Sequence, residues 1–202
     1  MKILYQGSPG AYSHMAALEV YPNAKIISCK TFNECFSKAI EEEKVRIIIP
    51  ESNRITGNIG VEYLIFKYRL NIYAEHFHPV QHNLLGLPGS KTKDIKHVFS
   101  HAQALSQSSS FIKKNKLIEN VRADTAGSAA YIASNKKRDE AAIASKLSAK
   151  IYNLDILESN IENEKGNVTR FLIMGKSILQ PELKEKKYIT SFLFKLKDKP
   201  AA

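Results

Sequence analysis

The chain has 202 residues, of which 44% are hydrophobic and 25% charged, enough for one large domain or two lobes with a substantial core. Its formal net charge is +10, but only six of the 30 cations are arginine and no basic helix is present, so we expect a solvated surface and no nucleic-acid partner. No apolar run suits a signal-peptide core or a membrane span, so we expect a cytoplasmic chain with no membrane partner.

The first part of the chain alternates segments with strand and helix patterns. KILYQG is predicted to be a strand, GSPG a turn, AYSHMAALEVY a helix and AKIISC the next strand. In TFNECFSKAIEEE, Thr31 and Glu34 have the spacing of a capping box, and the apolar residues recur at a helical period. VRIIIP is a continuous run of the kind that is buried on both faces of a parallel sheet.

The same alternation returns after residue 96, with HVFS, VRAD and EAAIAS as predicted strands and HAQALSQSSSFIKKN, TAGSAAYIASNKK and KLSAKIYNL as predicted helices. This second series predicts a second lobe. The segment YAEHFHPVQHNLLGLPGS, with Pro79, Pro88 and two glycines, separates the two series, and we interpret it as a crossover. TRFLIMG follows a polar linker and is predicted to be the return crossing. The predicted fold is therefore α/β with two lobes, residues 1–78 plus 168–182 and residues 79–167, and a ligand cleft at the carboxyl ends of the strands.

Three helix starts are candidate anion sites in such a cleft, because the first N–H groups of a helix have no partner inside it. They lie in GSPGAYS, SHAQAL and DTAGSAA. Ser100 and Gln103 have capping-box spacing, and Thr125 is a candidate N-cap. Plain capping and ligand contact both remain open for these residues, and GSPG has the composition of an ordinary turn.

Cysteine and histidine give weak signals for other chemistry. Cys29 and Cys35 lack a pairing or ligand pattern, so we expect reduced thiols in the core. His76, His78 and His82 share one parity along an extended segment, as metal ligands do, but no carboxylate or cysteine joins them at ligand spacing, and we expect no metal site. No nucleophile elbow, P-loop or dinucleotide fingerprint is present.

Five motifs in order resemble the prephenate dehydratase family. They are YQGSPGAYSHMAA, SHAQAL, TAGSAA, AAIAS and NVTRF, and the resemblance extends to about residue 180. It implies two lobes like those of periplasmic solute-binding proteins, of type II, with the active site between them. The implied reaction converts prephenate to phenylpyruvate, carbon dioxide and water in phenylalanine biosynthesis, without a cofactor, and the implied assembly is a homodimer or homotetramer.

The resemblance also implies roles for individual residues. Thr169 would donate a proton or hydrogen bond to the hydroxyl that leaves as water, while Asn167 and Arg170 would bind and orient the substrate. Strand alternation places Thr169 and Phe171 on one face and Arg170 on the other, so a structural ion pair is the alternative for Arg170. The full set of substrate-binding residues predicted from the resemblance is Asn53, Arg54, Ser100, Gln103, Ala104, Leu105, Thr125, Asn167, Arg170 and Phe171.

One motif departs from the family pattern. After the second core strand the family has P-x-E-N-S-x-x-G, where this chain has PESNRITG, so Ser52 replaces Glu and Arg54 replaces Ser. If both side chains face the cleft, these changes make it more positive. We expect Arg54 to grip one substrate carboxylate, with an outward-facing surface ion pair as the alternative.

The last 20 residues suggest a different unit. YITSFLFKLKDKPAA alternates as a strand does and resembles the beginning of an ACT regulatory domain, so residues 183–202 are predicted to be a linker and the first strand of a truncated ACT domain. Two other functions stay open besides the dehydratase, which are a non-catalytic small-molecule binding domain and a regulator's effector domain. Arogenate is an alternative substrate.

Overall fold

The computed structural model describes residues 1–178, which form two β-sheets with helices packed on them. Eleven strands and seven α-helices occur in this range, with a short 3-10 helix at Thr92–Asp94. The strands are β1 Lys2–Gln6, β2 Lys25–Cys29, β3 Val45–Asn53, β4 Gly57–Asn58, β5 Asn71–Pro79, β6 Asn83–Gly86, β7 His97–Ser100, β8 Ile118–Val121, β9 Glu140–Ala144, β10 Asp155–Glu158 and β11 Val168–Gly175. The helices are α1 Tyr12–Val20, α2 Phe32–Glu41, α3 Glu62–Tyr68, α4 Ala102–Gln107, α5 Ser109–Lys114, α6 Thr125–Asn135 and α7 Lys146–Tyr152.

The first sheet has the strand order β2-β1-β3-β11-β5, with β4 paired to β3. Strands β1, β2 and β3 are parallel, whereas β11 runs antiparallel to both β3 and β5. Alternate residues of β3 pack on opposite faces, Ile47 and Ile49 with α2 and α3, and Ile48 with α1. The continuous apolar run in β3 therefore reflects burial on both faces, as predicted.

The second sheet has the order β10-β6-β9-β7-β8, with β7, β8 and β9 parallel. Every residue of β9 is buried, and alternate residues pack on opposite faces, such as Ala142 beside α6 and Ile143 beside α4. The small side chains of EAAIA bring α6 close to the sheet. Both sheets thus bury apolar side chains on two faces, which confirms the predicted two-lobed α/β fold class.

The chain crosses between the sheets after β5 and returns immediately before β11. The two crossing segments contact each other, because the Val80 N–H donates to the Asn167 carbonyl oxygen at 2.8 Å. This arrangement places the start of β11, and with it Thr169, at the junction of the two sheets. The exact limits of the two lobes stay a prediction.

Several predicted elements differ from the structure. Most of the segment predicted as a loop-like crossover forms two strands, β5 and β6, because Pro79 occupies the last position of an edge strand, where its missing N–H breaks no ladder. The helix predicted over HAQALSQSSSFIKKN is divided at Ser108 into α4 and α5. Strand β10 lies just before the segment predicted as a polar linker. The predicted ACT strand lies outside the described residues.

Two other local predictions, the cap of α2 and the burial of both cysteines, are confirmed. Thr31 is the N-cap of α2, with its Oγ1 accepting from the Glu34 N–H at 3.1 Å. Cys29 and Cys35 are free and buried. No helix within residues 1–178 has both the length and the apolarity needed to cross a membrane.

Candidate active site

A cleft of about 500 Å³ opens between the two sheets, near the carboxyl ends of β1, β3 and β7 and the start of β11. Seven of the eleven residues predicted from the sequence line it, and four do not. The lining residues are Asn53, Gln103, Ala104, Thr125, Asn167, Thr169 and Phe171. The four outside the lining are Arg54, Ser100, Leu105 and Arg170.

A β-bulge between β3 and β11 determines which side chains reach the cleft. Thr169 pairs with Asn53 and Phe171 pairs with Pro50, so two residues of β3 are opposite the single Arg170. All four paired residues line the cleft. Strict alternation along β3 would place Pro50 and Asn53, which are three residues apart, on opposite faces of the sheet. The bulge therefore aligns Asn53 with Thr169 while Glu51 faces away.

Asn53 is held in one orientation by the backbone that follows it. Its Oδ1 accepts from the N–H groups of Ile55 at 3.0 Å and Thr56 at 3.1 Å, so its amide nitrogen must point the other way. That nitrogen donates to Asn167 Oδ1 at 2.7 Å and to Thr169 Oγ1 at 2.9 Å. The turn after β3 thus fixes the direction of both hydrogen bonds.

Thr169 is buried, and its hydroxyl is arranged as a donor. The oxygen already accepts from Asn53, and within residues 1–178 the O–H has no acceptor of its own. A hydroxyl whose oxygen accepts a hydrogen bond becomes a better donor, because the bonds polarise one another. The Thr169 proton is therefore available to a molecule in the cleft.

A chain of hydrogen bonds extends this network into the second lobe. Asn167 Nδ2 donates to Gln107 Oε1 at 3.2 Å, and the same oxygen is 2.8 Å from His82 Nε2. On the other side of its ring, His82 Nδ1 is 2.9 Å from the hydroxyl oxygen of Tyr12, which also lies 2.7 Å from the Gln81 carbonyl oxygen. Because Gln107 Oε1 accepts on this side, the Gln107 amide nitrogen is left to donate toward the cleft.

Burial controls the protonation of the His82 and Tyr12 side chains in this hydrogen-bond network. It lowers the pKa of His82, despite opposing effects of Gln107 and the Glu162 carboxylate, so the imidazole is neutral near pH 7. Burial also raises the pKa of Tyr12, which keeps its hydroxyl protonated. A neutral His82 that donates through Nε2 to Gln107 Oε1 accepts at Nδ1, so the single proton of the Tyr12 hydroxyl is directed at this ring nitrogen.

Arg170 lies on the opposite face of β11, as strand alternation predicts. Its Nε donates to Glu75 Oε2 at 2.8 Å, and its Nη1 donates to Glu51 Oε2 at 3.2 Å. Burial alone would lower the pKa of the guanidinium, but the two carboxylates outweigh it and raise the pKa. The structure thus gives Arg170 the ion-pair arrangement that was the alternative to substrate contact.

The departures from the family motif also lie outside the cleft lining. The Arg54 side chain is exposed, and its Nη1 donates to the Gly166 carbonyl at 3.2 Å. Ser52 donates to the neighbouring Glu51 carboxylate at 2.6 Å. A role for Arg54 in gripping a carboxylate requires a side chain inside the cleft, and Arg54 is not among the residues that line it.

Two helix caps were predicted one residue away from their observed positions. His101 caps α4 and Asp124 caps α6, the latter through a 2.5 Å bond from the Gly127 N–H to Oδ1. Ser100 is fully buried and donates to the Ile143 carbonyl, which ties β7 to β9, and Leu105 packs in the core. Thr125 is the first residue of α6 and lines the cleft beside its cap.

The loop GSPG joins the two lobes at one end of the cleft. The Gly10 carbonyl accepts from Ser145 Oγ at 2.5 Å and Ser148 Oγ at 3.1 Å, and the Pro9 carbonyl accepts from the Tyr152 hydroxyl at 2.8 Å. We call these three bonds the loop contact. The carbonyl groups of the GSPG loop therefore hold the two lobes together. The start of α1, in the same motif YQGSPGAYSHMAA, faces the cleft.

The start of α1 offers backbone donors to the cleft. Ala11, Tyr12 and Ser13 line it, and no side chain caps the helix. Within residues 1–178, the N–H groups of Tyr12 and Ser13 have no acceptor. Since the described cleft lining contains no lysine or arginine, these N–H groups join its side-chain amides and hydroxyls as donors for an anion.

Sequence reasoning missed Tyr12, Gln107 and a cleft role for His82. Gln107 lies four residues after Gln103 on α4, a spacing that places both on one helix face, and this was the available signal. His82 was grouped with His76 and His78, but the structure separates it from them. The three side chains that offer metal ligands, Glu19, His76 and His78, lie outside the cleft lining.

Comparisons with known proteins identify the family of the chain. The family model for prephenate dehydratase matches residues 3–178. Arogenate dehydratase/prephenate dehydratase 1, chloroplastic, from Arabidopsis thaliana is 42% identical over 203 residues, which covers 99% of this chain and 51% of that relative. The chain thus spans about half the length of this curated relative.

Two solved structures superpose closely on the chain. One, described as GqqA, a novel type of quorum quenching acylase, has a TM-score of 0.82 at 32% identity and covers 90% of this chain and 67% of its own. The other is prephenate dehydratase from Arthrobacter aurescens in complex with L-Phe, with a TM-score of 0.83 at 23% identity, covering 90% of this chain and 62% of its own. The match of the family model to nearly all of the described residues decides the assignment: this chain belongs to the prephenate dehydratase family.

Proposed function

We propose that this chain converts prephenate to phenylpyruvate, carbon dioxide and water, which makes it a carbon–oxygen lyase of phenylalanine biosynthesis. The observation that carries the proposal is the state of the Thr169 hydroxyl, which is buried in the cleft and accepts a hydrogen bond from Asn53 at 2.9 Å. Within the described residues its own proton has no acceptor, so it can donate to a ligand.

In this reaction the protein mainly has to orient the substrate and supply one proton. Loss of carbon dioxide leaves its electron pair in the ring, the ring becomes aromatic, and the ring hydroxyl departs with a proton as water. Thr169 donates its hydrogen bond, and with it a proton, to that hydroxyl and regains a proton from solvent. No metal or redox group takes part in this sequence.

The substrate is a dianion, so its two carboxylates need donors. The N–H groups at the start of α1 lie in one lobe, and the amides of Asn167 and Gln107 lie at the junction and in the other lobe. Holding the substrate between donors from two lobes orients its ring hydroxyl toward Thr169. This fixed orientation of the reacting group contributes to the rate. The net charge of +10 attracts the dianion before binding.

Arogenate is a second candidate substrate. It differs from prephenate in carrying an ammonium group in place of the side-chain keto group. Asp124 offers a carboxylate to the cleft, where Ser8 Oγ donates to its Oδ2 at 3.2 Å, and an ammonium group can pair with such a carboxylate. The Arabidopsis thaliana relative carries both substrates in its name.

The test is to incubate the chain with each substrate near neutral pH, with an enzyme-free blank for spontaneous decay, and to measure phenylpyruvate and phenylalanine. We expect phenylpyruvate from prephenate. Turnover of arogenate alone would assign the second substrate, while calorimetric binding without turnover of either would assign a non-catalytic binding domain. The cytoplasm, and a homodimer or homotetramer, remain the expected location and assembly.

A further inference from the structure

Three potential metal ligands converge where α1 packs on the edge strand β5, and none of them is among the residues that line the cleft. Glu19 lies near the end of α1, and His76 and His78 lie two apart on the edge strand β5, so their side chains share one face. His78 Nδ1 is 2.8 Å from Glu19 Oε2, and His76 Nε2 is 2.9 Å from the same oxygen. The three ligand atoms all lie within 4.8 Å of one another.

This separation is close to what a metal ion requires. Zinc binds imidazole nitrogen and carboxylate oxygen at about 2.0 to 2.2 Å, so neighbouring ligand atoms of a tetrahedral site are about 3.3 Å apart. The observed distances of 2.8 and 2.9 Å need only a small outward movement of the side chains. Two imidazoles and one carboxylate also form a donor set typical of zinc.

The cluster is prepared for a cation in two further respects. His78 is buried with 1% exposure, so the surrounding packing fixes its ring. The side chains of His76 and Glu19 are 26% and 46% exposed, which leaves a path from solvent.

We propose that Glu19, His76 and His78 form a binding site for a divalent transition-metal ion of the zinc class. His76 binds through Nε2, His78 through Nδ1 and Glu19 through its carboxylate, and solvent completes the coordination. This site is independent of the proposed function.

The position of the site gives it a structural consequence. It joins α1 to the edge strand β5, whose neighbour is β11, and His78 pairs with Thr169 while His76 pairs with Phe171. The His78 ring also meets the Phe171 ring edge-on, with centroids 6.5 Å apart. A bound ion therefore braces the strand that flanks the cleft residues, and it stabilises the folded chain because its ligands come together only in the fold.

The test is a calorimetric titration of zinc chloride into the chain, prepared without a histidine tag and dialysed against a chelator. We expect one equivalent to bind to the parent, and His76→Ala and Glu19→Gln each to weaken binding by about tenfold or more. Both substitutions alter partly exposed side chains, so the fold survives, which circular dichroism checks. His97→Ala, which changes a half-buried histidine in the second sheet, is the matched control and should bind as the parent does.

A second measurement separates specific ligation from loose surface binding. Zinc should shift the imidazole nitrogen resonances of two histidines in the parent, and should raise its Tm but not that of His76→Ala. Absence of binding at millimolar zinc would overturn the proposal. So would unchanged affinity in both variants, since the ion would then be held elsewhere.

Discussion

Substituting Gly10 by alanine tests whether the loop contact holds the two lobes together. The backbone of Gly10 has φ +95°, which side chains rarely adopt, and an added Cβ would lie 2.5 Å from Ser148 Oγ and 2.9 Å from its Cα. The second distance involves backbone, so the loop must move away from α7. That movement breaks the hydrogen bonds from Ser145 and Ser148 to the Gly10 carbonyl.

Gly57 offers a matched control for the backbone strain. It has φ +78° and no atom within 4 Å of an added Cβ, so Gly57→Ala carries the conformational cost alone, about 1 to 2 kcal/mol. Gly10→Ala carries a similar cost and also loses two buried hydrogen bonds, each worth about 1 kcal/mol. We therefore expect Gly10→Ala to lower the free energy of unfolding by about 3 to 4 kcal/mol.

Urea unfolding followed by circular dichroism measures both variants on the same scale. The difference between them should be about 2 kcal/mol, and Gly10→Ala should also reduce kcat/KM for prephenate, because the cleft lies between the lobes that the loop joins. If the two variants differ by less than about 0.5 kcal/mol, which is within the scatter for surface changes, the loop contact contributes little and the reasoning fails.

Two further predictions concern single side chains. Arg54→Ser, which restores the family residue, should leave KM for prephenate within a few-fold of the parent because the guanidinium is exposed and bonded to Gly166; a KM raised about tenfold or more would return Arg54 to carboxylate binding. Burial holds the pKa of His82 in the folded chain below the ordinary value of 6.5 that it has in the unfolded chain. At a pH between these two pKa values the unfolded chain binds more protons than the folded one, so the free energy of unfolding should fall as pH drops from about 7.5 to 5.5. His82→Gln should reduce that loss in urea titrations, and an equal loss in the variant would contradict the assignment.

Elements with strong local signals could be predicted from the sequence. The start of α2 follows from Thr31 and its capping spacing, and β3 follows from its apolar run. Strand β5 could not be predicted in this way, because it is an edge strand with polar and aromatic residues on its two faces and ends in Pro79. Its partner β11 is almost 100 residues away, so the pairing that stabilises β5 is invisible locally.

The site was predictable where one motif carried it and not where separate elements met. NVTRF gave Asn167, Thr169 and Phe171, and alternation correctly separated Arg170 from them. The bulge that turns Glu51 outward has no sequence signal. Ser52 and Arg54 each lie one residue from Asn53 and are outside the cleft lining, so the charge expected from these two positions did not reach the cleft. Glu19 likewise joins His76 and His78 only through the packing of α1 on β5, which ligand spacing along the chain cannot reveal.

The central claim is that the Thr169 hydroxyl assists departure of the substrate hydroxyl, and the most direct measurement compares three forms of the chain in phenylpyruvate formation from prephenate. Thr169→Ala should lower kcat by about 10² to 10⁴ with little change in the urea midpoint, and Thr169→Ser, which retains the hydroxyl, should recover most of the rate. Turnover by Thr169→Ala within a few-fold of the parent, or equal loss in the alanine and serine variants, would contradict the claim.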